Sequence, residues 1–170
     1  MTYGIFLAGG GSRRFATGDK ALFENWAQLA VEHLSALTER VFIVASPTNA
    51  HALTAKFPSA TVLCDAREFA GEGPLVGLYT VSKQTQDFEN AQSYLILPSD
   101  SPEITRVQIL KLLSADNVYV RENFPICHLT FSHQQLADFL ATGERRFYNF
   151  LKCLDAKATS FKDLPNHNEK

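Results

Sequence analysis

Short apolar runs rich in β-branched and aromatic residues alternate along the chain with stretches of helical spacing. The runs predict strands over residues 3–7, 40–45, 61–63, 94–97, 118–121 and 126–131. Between them, apolar residues recur at intervals of three and four, which is typical of amphipathic helices. Strands that alternate with helices predict a three-layer α/β/α fold with a mainly parallel, Rossmann-like sheet.

Polar residues predict where several helices begin. Ser46-Pro47 predicts a helix with serine as its N-cap, and Gly73-Pro74 predicts another. Thr105 and Ser132 each precede a glutamine by three residues, as in a capping box. We expect His33 to be a core histidine on the apolar face of the first helix. That face carries Trp26, Leu29, Ala30, His33, Leu34 and Leu37.

Length and composition narrow the class of protein. The 170 residues predict one domain over residues 1–162 and a polar tail over 163–170 that we expect to fray. The formal net charge of −2 offers no broad basic surface, so nucleic acid is not an expected partner. The three cysteines lack paired spacing and no run reaches membrane-spanning length. We therefore predict a cytoplasmic protein with reduced thiols and no membrane partner.

A glycine-rich loop with positive charge follows the first predicted strand. Gly9, Gly10 and Gly11 are followed by Arg14 and Lys20. Backbone N–H groups and cationic side chains in such a loop can bind a polyphosphate. The spacing fits neither the Walker loop nor the G-x-G-x-x-G fingerprint. The loop predicts a nucleotide site of another kind, and its alternative is a tight turn in a solvated basic loop.

Two acidic residues follow other predicted strands. Asp100 lies in Pro98-Ser99-Asp100-Ser101-Pro102, and Asp65 follows the third strand. A carboxylate at a buried strand end suits Mg²⁺, which binds one or two carboxylates and completes its shell with water and phosphate. Asp100 could instead cap the next helix, although the capping box at Thr105 argues against this. Asp65 could bind a ribose or base, or simply belong to a turn.

We expect the loops after the first four strands to face one crevice, because ligands of such sheets bind beyond the carboxyl ends of the strands. Residues 73–77 read Gly-Pro-Leu-Val-Gly, where Gly77 permits either close helix packing or the approach of a flat ring. Residues 143–146 read Gly-Glu-Arg-Arg. Two arginines in a first helical turn oppose the helix dipole, which hints at an anionic ligand; the alternative is solvated charge.

These motifs together resemble the molybdenum cofactor guanylyltransferases of the MobA type, within the nucleotide-diphospho-sugar-transferase-like fold. The matching segments, in family order, are Leu7-Ala8-Gly9-Gly10 with Arg14 and Asp19-Lys20, then residues 73–77, 98–102 and 143–146. The chain departs from the family at several points. Ala16 replaces a glycine, Val44-Ala45-Ser46 lacks a nucleotide-contacting asparagine, and Phe124-Pro125 replaces His-Pro.

The resemblance implies transfer of GMP from GTP to the phosphate of molybdopterin cofactor, with release of pyrophosphate and with Mg²⁺ as cofactor. It implies catalytic roles for Arg14, Lys20 and Asp100, with Asp100 also the metal ligand. The implied nucleotide-binding residues are Leu7, Ala8, Gly9, Gly10, Lys20, Asp65, Gly77 and Asp100. The implied acceptor-binding residues are Gly143, Arg145 and Arg146. Molybdoenzyme chaperones are possible partners. The alternatives are a nucleotidyltransferase that uses CTP or another acceptor, and a non-catalytic nucleotide-binding homologue.

Overall fold

The computed structural model describes residues 1–9, 20–65, 73–85, 90–101 and 103–161, with side chains from residue 25 onward in the first helix. The strands are β1 (Thr2–Leu7), β2 (Arg40–Ala45), β3 (Thr61–Cys64), β4 (Gln92–Pro98), β5 (Val118–Val120), β6 (Asn123–Phe131) and β7 (Lys157–Thr159). The helices are α1 (Lys20–Leu37), α2 (Ala50–Lys56), α3 (Pro74–Ser82), α4 (Arg106–Leu113), α5 (His133–Ala141) and α6 (Phe147–Cys153).

The strands form one sheet in the order β3-β2-β1-β4-β6-β5-β7. Strands β1 to β4 are parallel, and β6 is antiparallel to both of its neighbours. Since β7 is parallel to β5, β6 alone among the described strands runs in the opposite direction. The chain moves outward from β1 through β2 to β3 and then returns to place β4 on the other side of β1. This reversal makes the β1–β4 boundary the switch point of the sheet.

Helices cover both faces of the sheet and bury one core on each. One core contains side chains from α1, α2 and α4, and the other contains side chains from α3, α5 and α6. Because β2 is covered on both faces, its residues 41–45 are all apolar and buried. The predicted three-layer α/β/α fold with a mainly parallel sheet is confirmed. Among the described residues, no helix is long and apolar enough to cross a bilayer.

The predicted strands are all present, with differences at their ends. The bounds of β2 match the prediction, whereas β6 begins at Asn123, three residues earlier than expected. Val120 pairs with Asn123 and Tyr119 with Cys127, so residues 124–126 have no partner in β5 and form a bulge. The sequence pattern also missed β7, a three-residue edge strand with no run of apolar residues. Its pairing with β5 is a long-range contact that no local pattern carries.

Both predicted capping boxes are present, one predicted N-cap is not, and the inward face of α1 differs from the predicted one. The capping boxes at Thr105 and Ser132 are confirmed, with both reciprocal hydrogen bonds present in each. The predicted N-cap at Ser46 is wrong, because α2 begins only at Ala50 and Ser46 lies in the turn before it. In α1, Leu29 is 37% exposed and His33 is half-buried, so neither is a core residue. The inward face carries Trp26, Ala27, Ala30, Val31 and Leu34.

Candidate active site

The carboxyl ends of the central parallel strands meet at one edge of the sheet. Leu7 at the end of β1 is in register with Val44 on one side and with Pro98 on the other. Ala45 at the end of β2 is in register with Cys64, the residue before Asp65. The predicted grouping of these four strand ends at one edge is therefore confirmed. The glycine-rich loop begins directly beside the turn that carries Asp100.

Asn49 fastens the start of the glycine-rich loop to the neighbouring strand end. Its Nδ2 donates a hydrogen bond to the Ala8 carbonyl at 3.0 Å, and its Oδ1 accepts one from the Ser46 N–H at 2.9 Å. The Ala8 N–H donates to the Val44 carbonyl at 2.8 Å. Sequence reasoning missed Asn49. The available signal was an asparagine three residues after Ser46, a spacing at which a side-chain amide can bond back to the backbone.

Gly9 lies where the loop passes over the end of β2. A Cβ at Gly9 would lie 3.0 Å from the carbonyl carbon of Ala45, so the backbones approach too closely for a side chain. Leu7 and Ala8 are buried, and the N–H and the carbonyl of Ala8 are both hydrogen-bonded to neighbouring residues. Gly10 and Arg14 lie outside the described residues. Lys20 is the first residue of α1, and its side chain also lies outside them.

Asp100 is half-buried in the turn after β4 and is held by a neighbouring amide. The Nδ2 of Asn123 donates to Asp100 Oδ1 at 2.9 Å and to Ser101 Oγ at 2.7 Å. Asn123 is 7% exposed and is the first residue of β6. The sequence prediction places it outside any strand, because the strand is expected to begin at residue 126. Asp100 does not cap α4, because Thr105 caps that helix. The predicted alternative for Asp100 is therefore excluded.

The environment of Asp100 fits a divalent cation that is delivered with a nucleotide. Within the described part of the chain, Asp100 Oδ2 accepts no hydrogen bond. No group of three or more His, Cys, Asp or Glu side chains with metal-binding geometry occurs among the described residues. A site with one carboxylate suits Mg²⁺, which retains several waters and takes its other ligands from phosphates. One carboxylate is too few to bind a cation through protein ligands alone.

Asp65 and Gly77 occupy different positions relative to this edge. Asp65 is half-buried and immediately follows β3, so it lies at the carboxyl edge of the sheet. Gly77 lies in the buried face of α3, where a Cβ would be 2.9 Å from Leu7 Cδ2 and 3.3 Å from Val44 Cγ1. The approach of a flat ring to Gly77 is therefore not what the structure shows. This glycine permits close packing of α3 on the sheet.

The segment 143–146 connects α5 to α6. Gly143 has a φ of +91°, a left-handed conformation that favours glycine at the end of a helix. Arg145 Nη1 donates to the Leu140 carbonyl at 2.7 Å and to the Glu144 carbonyl at 2.9 Å. Arg145 thus binds a carbonyl in the last turn of α5. Arg146 is the N-cap of α6 and is exposed.

Just before α6, Glu144 accepts hydrogen bonds from backbone and amide groups. Its Oε1 accepts hydrogen bonds from the backbone N–H groups of Arg145 and Arg146, each at 2.9 Å, and its Oε2 accepts one from Asn149 Nδ2 at 2.9 Å. The Arg146 N–H, then the Asn149 amide and the Arg145 N–H, hold the pKa of Glu144 below its ordinary value. The carboxylate of Glu144 is therefore hydrogen-bonded to backbone N–H groups and to the Asn149 amide at the start of α6.

Phe124, in the bulge of β6, packs against the start of α6. Phe124, where the resemblance expects histidine, follows Asn123 directly and is 41% exposed. Its ring centroid lies 6.4 Å from that of Phe147 and 6.1 Å from that of Tyr148. Since Phe147 follows Arg146 and Phe124 follows Asn123, the start of α6 lies near the start of β6.

The sequence model of the MobA-like NTP transferase domain matches residues 4–157. The chain belongs to the MobA-like NTP transferase family. Among its relatives in that family, the probable molybdenum cofactor guanylyltransferase of Geobacillus sp. (strain WCH70) is 33% identical over 128 residues, 71% of this chain and 59% of the relative. The molybdenum cofactor guanylyltransferase of Haemophilus influenzae is 30% identical over 162 residues, 87% of this chain and 81% of the relative.

Solved structures agree on the fold of this MobA-like chain. The crystal structure of 4-diphosphocytidyl-2C-methyl-D-erythritol synthase from Anaerococcus prevotii is similar with a TM-score of 0.64. The similarity covers 100% of this chain and 89% of that chain, at 9% sequence identity. At such low identity the similarity shows the fold alone. The chain spans less than two thirds of the length of the Geobacillus relative, so the relative's activity does not transfer to it without a test.

Proposed function

We propose that this chain is a nucleotidyltransferase that moves GMP from GTP to the phosphate of molybdopterin cofactor and releases pyrophosphate. The observation that carries the proposal is the register of β1 with β4, which sets the start of the glycine-rich loop beside Asp100. Family membership and the names of the two relatives support the choice of GTP and molybdopterin. A cytoplasmic location and a molybdoenzyme chaperone as partner stay predictions from the sequence.

The proposed reaction needs alignment and charge neutralisation more than proton transfer. The attacking phosphate oxygen is already ionised at neutral pH, so no general base is required. The backbone at Gly9 would orient the triphosphate, and Arg14 and Lys20 would stabilise the charge that builds up at the α-phosphate and on the leaving pyrophosphate. Asp100 would hold Mg²⁺, which neutralises phosphate charge when bound.

The role of Asp100 is tested by Asp100→Ala in the full chain. Pyrophosphate release is measured with GTP, molybdopterin and Mg²⁺, and circular dichroism checks that the variant is folded. Removing one preorganised charge-stabilising group typically lowers the rate about 10²- to 10³-fold, and we expect a loss of at least that size. Asp116→Ala is the matched control, because Asp116 is exposed in the turn before β5, at the opposite edge of the sheet. Near-normal turnover by Asp100→Ala would refute the role of Asp100.

Base selection requires its own test, because Val44 stands where the resemblance expects an asparagine. The Val44 side chain has no polar atom and is 3% exposed, so it cannot replace an asparagine as a hydrogen-bonding partner of a base. Thermal unfolding with Mg²⁺ and GTP, CTP or ATP compares the bases directly, since a ligand at 100 times its Kd stabilises by about 2.7 kcal/mol. We expect the largest shift with GTP. A larger shift with CTP would overturn the choice of GTP in favour of a cytidylyltransferase.

A further inference from the structure

Asn123 ties the start of β6 to the turn that carries Asp100. It opens the strand after a two-residue turn, and its pairing with Val120 fixes its backbone at the carboxyl edge of the sheet. Its amide nitrogen then reaches across the edge to Asp100 Oδ1 at 2.9 Å and Ser101 Oγ at 2.7 Å. The two contacts use both protons of the amide group, so the orientation of the carboxamide is determined.

We propose that Asn123 is a positioning residue that holds Asp100 Oδ1 and leaves Oδ2 as the oxygen that faces a nucleotide-bound divalent cation. The inference rests on the proposed function, because it concerns the same carboxylate. Its basis is the asymmetry of Asp100: Oδ1 accepts the Asn123 amide, whereas Oδ2 accepts no hydrogen bond from the described residues. A cation bound there would therefore be held through one oxygen.

The chemistry of the amide suits this role. A lysine or arginine at this position would bind Asp100 equally well but would repel a cation. The Asn123 amide is neutral, so it fixes the direction of the carboxylate without cancelling its negative charge. Ser101, 4% exposed, anchors the other proton of the amide and prevents it from rotating away. Partners of this kind, which orient a metal-binding carboxylate, typically contribute about 10- to 100-fold to metal affinity or activity.

The test measures cation binding separately from turnover. Mn²⁺ is titrated into the full chain in the presence of a GTP analogue with a non-cleavable α,β-methylene bridge, and bound Mn²⁺ is followed by electron paramagnetic resonance. Turnover is measured in parallel as a function of Mg²⁺ concentration. We expect Asn123→Ala to raise the half-saturating concentration of either cation about 10- to 100-fold. Saturating cation should restore most of kcat, because the carboxylate itself is still present.

Two further variants separate positioning from structural damage. Asn123→Leu fills the buried space without offering a donor, so it should weaken cation binding as Asn123→Ala does. Asn117→Ala removes a hydrogen bond of 2.8 Å between Asn117 Oδ1 and the Thr130 N–H, which lies at the other end of the same hairpin. It should lower Tm and leave the half-saturating cation concentration unchanged.

The results distinguish the inference from the function on which it rests. If the wild type binds Mn²⁺ and both Asn123 variants keep its half-saturation, the positioning role is overturned while the proposed function stands. If the wild type binds nucleotide and turns over without any divalent cation, the cation role of Asp100 falls, and the inference falls with it. Weaker cation binding in both variants, with normal binding in Asn117→Ala, supports the inference.

Discussion

Replacing Asn49 with alanine should loosen the start of the glycine-rich loop. The change removes two hydrogen bonds, one to the Ala8 carbonyl and one from the Ser46 N–H. A hydrogen bond of this kind contributes about 0.5–1.5 kcal/mol net. Because Asn49 is half-buried, water compensates part of the loss, and we expect destabilisation of about 1–2 kcal/mol. For a chain of this size that corresponds to a fall in Tm of roughly 2–8 °C.

Asn49→Asp separates the two bonds. The aspartate keeps an oxygen that accepts from the Ser46 N–H, but it places a second oxygen against the Ala8 carbonyl where Asn49 had a donor at 3.0 Å. Two acceptors at that distance repel each other. We therefore expect Asn49→Asp to be no more stable than Asn49→Ala, and both to bind Mg²⁺ and GTP more weakly than the wild type.

Thermal unfolding followed by circular dichroism measures the stability, and isothermal titration with Mg²⁺ and GTP measures the binding. Thr54→Ala is the control, because its hydroxyl donates only to the Ala50 carbonyl within α2 and is exposed. Its effect should stay within about 0.5 kcal/mol. A Tm for Asn49→Asp close to that of the wild type would refute the reasoning, since the bond to Ala8 would then contribute nothing.

The remaining predictions concern packing, capping and pH. Gly77→Ala should destabilise by about 1–3 kcal/mol in urea unfolding, because its Cβ would lie 2.9 Å from Leu7 Cδ2; an unchanged midpoint contradicts close packing. Ser132→Ala should lose about 1 kcal/mol in the same assay, and no loss would mean that the capping box contributes nothing. The pKa of Glu144 is lowered in the folded chain, so ionised Glu144 stabilises the fold fully above pH 4.5, the ordinary pKa of glutamate. This stabilisation is lost as the pH falls through the lowered pKa. Glu144→Gln should reduce the fall in the free energy of unfolding at acid pH, and an unchanged fall would refute its assignment to Glu144.

The fold was predictable from local patterns wherever a strand is buried on both faces. The apolar run 40–45 has the bounds of β2 because every residue after Arg40 is buried. By contrast, Pro125 interrupts the pattern of β6, and the bulge that contains it has no partner in β5. The segment just after β7 is held by residues far away in sequence. Glu122 accepts hydrogen bonds from the Ser160 hydroxyl and the Phe161 N–H. No local window of sequence contains such a contact.

The residues of the candidate site also differ in whether local sequence could predict them. Asp100 and Gly9 were predictable, because residues directly after buried parallel strands must lie at one edge of the sheet. Asn49 and Asn123 were not, because each acts on residues far away in sequence. The bond from Asn49 to Ala8 spans 41 residues, and that from Asn123 to Asp100 spans 23. The spacing of Asn49 from Ser46 signalled a local bond only, and nothing in the spacing of either asparagine pointed to these distant partners.

The Gly-Glu-Arg-Arg segment makes several contacts within the chain, and its predicted contact with an anionic acceptor stays a prediction. Glu144 of the same segment accepts hydrogen bonds from the backbone N–H groups of Arg145 and Arg146. The Arg145 guanidinium donates a hydrogen bond to the Leu140 carbonyl, so its positive charge stabilises the carboxyl end of α5. Arg146 is different, because its side chain is exposed beside Phe147, whose ring faces Phe124 next to Asn123. If this segment contacts an anionic acceptor near Asp100, the geometry favours Arg146 as the residue that does so, with Gly143, Glu144 and Arg145 shaping the turn that presents it.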